Sequence, residues 1–157
     1  MRREPDRRSE PSVRRRYVRF QAIHPNRRGV YPGVFALVNG LSSEGRLSVE
    51  QERFRRSGND WFTDHLVNPY EVDRRVYDRD RYPGAVAWFK ATALPMIDRV
   101  SGYLDILDKH GIAWERLDSD DPGTILYEDP QQIVALPASI VVSAHPAAYP
   151  APAGPAS

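Results

Sequence analysis

Two kinds of hydrophobic spacing divide this chain, and their order limits the folds open to it. Near the start of its central body apolar residues recur at every second position, near the end they come in short runs between turns, and between these ends they recur every three or four. Val18, Phe20 and Ala22 alternate with Arg19 and Gln21, the period of a half-buried strand. His24-Pro25-Asn26 then punctuates a loop.

A helix is predicted from Tyr31-Pro32-Gly33 to Glu44-Gly45, with Val34, Phe35, Leu37, Val38 and Leu41 at helical spacing and Pro32 in the first turn, where its missing N–H costs nothing. Ser48 and Gln51 have the spacing of a capping box, which opens a second helix running to about Leu66 with Phe54, Trp61, Phe62 and Leu66 as its buried stripe. Gly58 weakens that helix by about 1 kcal/mol relative to Ala and allows a break at residues 57–59. A charged loop is expected over residues 68–81, long enough to be functional or mobile, with a short strand or turn near Val76 as the alternative. A long helix is expected from Tyr82-Pro83-Gly84 to Gly111, carried by Val86, Phe89, Ala93, Met96, Val100, Leu104 and Leu107 and divided near residues 91–95 by Pro95. Strands follow at residues 112–117, 124–127 and 132–136, separated by the turns Asp120-Asp121-Pro122-Gly123 and Glu128-Asp129-Pro130-Gln131.

Helices enclosed by strands imply an α+β fold rather than alternating α/β. The expected architecture is a mostly antiparallel four-stranded sheet, the N-terminal strand beside a C-terminal three-strand meander. Two to four helices cover one face. The domain is bounded at residues 16–137. Residues 1–15, rich in Arg, Glu, Asp, Ser and Pro, are expected to be a disordered arm. Residues 138–157, rich in Pro and Ala, are expected to be a flexible tail, with residues 139–143 as an alternative edge strand.

Charge is unevenly spread. Residues 1–31 hold ten arginines and three acids, whereas the rest of the chain carries a net −6, for an overall +1. A basic arm on an acidic body is one footprint of nucleic-acid contact, and Arg14, Arg15 and Arg16 are its candidate residues. Twenty arginines against two lysines also reflect a GC-rich genome, under which the arm is a solvated tail.

The chain has no cysteine, which excludes disulfides, thiolate metal sites and a cysteine nucleophile and suits a reducing, cytoplasmic compartment. Its longest apolar runs are five residues, against the roughly 20 a membrane helix needs. Phosphate-loop, dinucleotide, nucleophile-elbow and EF-hand signatures are absent, and neither a metal nor a cofactor is expected. The stretch from Leu41 to Arg53 has the flavour of a helix–turn–helix without a clear register.

Three functional readings remain. Tyr70, Arg74, Arg75, Tyr77 and Tyr82 supply the side-chain types that anchor protein interfaces, so the leading expectation is a binding module for a protein partner. The rival is a small hydrolase with His24 as general base and Asp60, Asp64 and His65 as orienting groups, Asp60 and Asp64 lying one helical turn apart. The third is nucleic-acid binding through the arginine arm.

Overall fold

The computed structural model describes residues 15–137; most of the arm and all of the tail lie outside them. It is an α+β fold. Strands β1 (Tyr17–Ala22), β2 (Val86–Lys90), β3 (Trp114–Ser119), β4 (Thr124–Glu128) and β5 (Gln132–Leu136) form one antiparallel sheet in the order β3-β1-β2-β5-β4. Helices α1 (Val34–Ser43) and α2 (Val49–His65) follow β1. A single turn α3 (Pro69–Val72) and a 3-10 turn (Arg74–Tyr77) lead to β2, and α4 (Leu94–Arg99) and α5 (Ser101–Lys109) lead on to β3.

The sheet has five strands, not four. Residues 86–90 are not the start of a long helix but the central strand. Val86, Ala87, Trp88 and Phe89 are apolar on both sides of a pleat, as a strand covered on both faces requires, and such a short run satisfies the helical period equally well. Helix resumes at Leu94, with Pro95 in its first turn. The meander is also split. β3 pairs with β1, from Tyr17 opposite Ser119 to Ala22 opposite Trp114, whereas among the described strands β4 pairs only with β5.

Elsewhere local signals specify the structure. Ser48 Oγ accepts from the Gln51 amide at 3.1 Å and Gln51 Oε1 accepts from the Ser48 amide at 3.0 Å, closing the capping box. Helix α2 runs through Gly58 without a break. Gly58 is buried because α5 lies against it: a methyl there would stand 2.5 Å from the Tyr103 hydroxyl. The relation is reciprocal, since a methyl on Gly102 of α5 would strike the Phe54 ring of α2. Gly102→Ala should therefore destabilise the fold by about 1–3 kcal/mol of overpacking, net of the roughly 1 kcal/mol that alanine gains in helix propensity. Combining it with Phe54→Leu should give a favourable coupling in urea denaturation; strict additivity of the two changes would refute this packing.

One face of the sheet meets the helices through Val18, Phe20 and Phe89, with Val34, Val38, Leu41, Met96, Val100, Tyr103 and Leu107 packed on them. The other face carries Tyr17, Trp88, Ile133 and Ala135, flanked by Val86 and Leu117. β1 is thus buried on both faces rather than half-buried.

Chain connectivity explains the enclosure of the second face. β3 and β4 are opposite edges of the sheet, yet only residues 120–123 join them. Laid flat, strands about 4.8 Å apart would place those edges about 19 Å apart. The step from Ser119 to Thr124 reaches at most about 18 Å. It must also travel along the strands, because Ser119 lies in the row of Tyr17 and Lys90 whereas Thr124 lies opposite Leu136. The sheet therefore coils and draws its edges together.

Candidate functional site

The segment between α2 and β2 departs most from a plain connection. The Val67 carbonyl accepts from Gln132 Nε2 at 2.7 Å, which ties the segment to β5. Asn68 Oδ1 caps α3 through the Tyr70 amide, and Asp73 Oδ1 caps the 3-10 turn through the Arg75 amide, so the residues expected to form a loop hold two short helical turns. Val76 is the buried anchor. Around it Val67, Tyr70, Val72 and Tyr77 remain between 38% and 62% exposed.

The five candidate interface residues differ in environment. The Arg74 guanidinium lies 5.6 Å from the centroid of the exposed Tyr70 ring. Arg75 makes a two-point contact with Asp73 at 2.9 Å on each oxygen, and those bonds hold the Asp73 carboxyl down at about 2. Tyr77 is partly covered, and burial raises its hydroxyl pKa against the opposing charge of Arg19. Tyr82 is half-buried, its amide bonded to the Asp78 carbonyl at 2.7 Å.

The proposed hydrolase residues are surface groups. His24 is exposed in the loop after β1, and Asp60 and Asp64 are exposed on α2. His65 stacks on Trp61 with ring centroids 4.2 Å apart, its Nδ1 2.8 Å from the Trp61 carbonyl, and Arg99 lies 4.2 Å from the same indole. No hydrogen bond joins His24 to Asp60, Asp64 or His65. Among the described residues no group of three or more His, Cys, Asp or Glu side chains could hold a metal ion.

Arg15 and Arg16 are exposed ahead of β1, the Arg16 amide donating to Asp120 Oδ1 at 3.0 Å. Arg14 lies outside the described residues. Lys90, which borders the core, pairs with Glu128. No helix among the described residues is long and apolar enough to cross a membrane.

Two polar constellations escape the periodicity reading. Asn39 Oδ1 accepts from Arg55 and from Asn59 Nδ2, Asn59 Oδ1 accepts from the Tyr103 hydroxyl at 2.8 Å, and Glu52 accepts from Arg55 and Ser42. This network ties α1, α2 and α5 together. Burial pushes the Tyr103 hydroxyl up to about 12, so it donates its proton across the whole neutral range.

The second constellation centres on Arg19, which is 9% exposed and has no carboxylate partner among the described residues. Its Nε donates to Gln21 Oε1 at 2.8 Å, one terminal nitrogen to the Ala87 carbonyl at 2.9 Å, and the other to the Tyr31 carbonyl at 2.7 Å. Burial holds its pKa down to about 10, opposed by Tyr77, and it remains a cation at neutral pH. Alternation had assigned Arg19 to a solvent face. The available signal was the apolar run of residues 85–89, whose two-faced character implies that its neighbouring strand is covered on both sides as well.

Comparison of the chain with protein-family models, with curated proteins and with solved structures gives no match.

Proposed function

We propose that the chain is a binding module that docks a protein partner on the surface of residues 67–82. The observation that carries this reading is the concentration of exposed apolar side chains there. Of the nine large hydrophobic residues exposed among those described, Val67, Tyr70, Val72 and Tyr77 fall within this one segment. Scattered exposed hydrophobics are ordinary, but a contiguous group bordered by charge marks an interaction surface. Arg74, Arg79 and Arg81 of the same segment are exposed and supply charge. Tyrosine and arginine provide large, partly preorganised contact area, and the Arg74–Tyr70 contact positions one such pair.

The test is site-specific photo-crosslinking. A crosslinker at Val72 should capture one defined polypeptide that a crosslinker at the exposed Thr63 of α2 does not. That polypeptide, purified, should bind the full chain, and the double change Tyr70→Ala with Val72→Asp should weaken binding roughly tenfold or more without altering thermal stability. The same capture pattern from both positions, or undiminished binding by the double variant, would overturn the proposal.

A further inference from the structure

Two side chains on the enclosed face of the sheet, Arg19 and Trp88, carry hydrogen-bond donors with no acceptor among the described residues. A guanidinium has five N–H groups, and Arg19 uses three of them on neutral oxygens. One N–H on each terminal nitrogen has no partner among the described residues, and no carboxylate among them pairs with the charge. Trp88 lies on the same face, next in chain to the Ala87 whose carbonyl Arg19 engages, and its buried Nε1 has no acceptor among the described residues. A buried charge without a partner is costly, and so is a buried donor without an acceptor.

The nearby backbone adds to the same imbalance. Gly33 is the N-cap of α1, a helix of 10 residues, and no side chain caps that end. The start of α1 thus lies beside a buried cation, and the positive end of a helix dipole disfavours a cation and favours an anion near it. The position a Cβ would occupy on Gly33 stands 3.7 Å from both terminal nitrogens of Arg19, on a side of the fork where this glycine has only hydrogen. Tyr31 and Tyr77, both partly exposed, flank the guanidinium, one through its carbonyl and the other through its electrostatic contact.

We infer that the Arg19 fork, beside the uncapped start of α1, is a binding site for an oxyanion, a carboxylate or a phosphate group. The two free N–H groups of Arg19 bind the anion, and the start of α1 adds a favourable field. This site does not depend on the docking surface proposed above.

The test uses the ¹⁵N-labelled full chain, titrated in separate arms with sodium acetate and with sodium phosphate at ionic strength held constant with chloride. The Arg19 Nε–H resonance and the Gly33 and Val34 amides should shift saturably in at least one arm, and the tighter arm identifies the group. Gly33→Ala leaves ordinary contact distances and a backbone that alanine tolerates, so it should fold like the parent. Its methyl fills the approach to the fork and should weaken the anion roughly tenfold or more. Shifts absent in both arms, linear without saturation, or unchanged in Gly33→Ala would overturn the site.

Discussion

Replacing Gly123 with alanine should cost about 3 kcal/mol or more. Two separate penalties combine. Gly123 has φ +130°, a conformation that side-chain-bearing residues rarely adopt. A methyl there would also run into the carbonyl of Leu136 and the backbone of Pro137, which have no rotamer through which to retreat. Because this link must pass from the end of β3 to the start of β4 in so few residues, it has no slack to move the collision elsewhere. Chemical denaturation should show the loss as a lower midpoint with an unchanged slope. A Gly123→Ala protein within about 1 kcal/mol of the parent would contradict the tight crossing, since ordinary surface changes stay within about 0.5 kcal/mol.

Arg19→Met should have a comparable effect, about 3 kcal/mol. It strands three acceptors, Gln21 Oε1 and the carbonyls of Ala87 and Tyr31, each costing about 1–3 kcal/mol if left unpaired in the interior. Removing an uncompensated buried charge offsets part of that sum. Arg19→Lys should recover less than half of the loss, because an ammonium cannot span three separated oxygens as a planar fork does. Denaturation midpoints of the two variants decide the matter. A methionine variant as stable as the parent, or a lysine variant indistinguishable from it, would show that the guanidinium is not what holds residue 31 to β2.

What could be read from the chain alone was whatever local chemistry dictates. The Ser48–Gln51 box, the extended character of residues 17–22 and the break between strands at residues 129–131 all act within a few residues of themselves, and the structure contains each. The identity of β2 did not follow, because five consecutive apolar residues fit a helix stripe and a doubly covered strand equally. Strand order did not follow either, since nothing near Leu117 or Thr124 records that β3 turns to β1 rather than to β4. The site around Arg19 was hidden for the same reason: its burial is decided by neighbours far along the chain. The exposed cluster at Tyr70 and Tyr77 could be nominated from residue type, whereas Val67 and Val72, which complete it, carry no compositional signal.

The pairing of β1 has a bearing on synthesis. Tyr17 sits in the ladder between Lys90 and Ser119, so β1 lies next to two strands that are synthesised long after it. Until translation has passed Lys90, the nascent segment Tyr17-Val18-Arg19-Phe20 has no native strand partner on either side. It must wait, greasy and unpaired, through the making of α1 and α2. Long-range closures of this kind fold slowly and expose strand edges to the wrong partners in the interval. The arginines at positions 14, 15, 16 and 19 border or interrupt that segment, and repulsion between like charges opposes its pairing with a second copy.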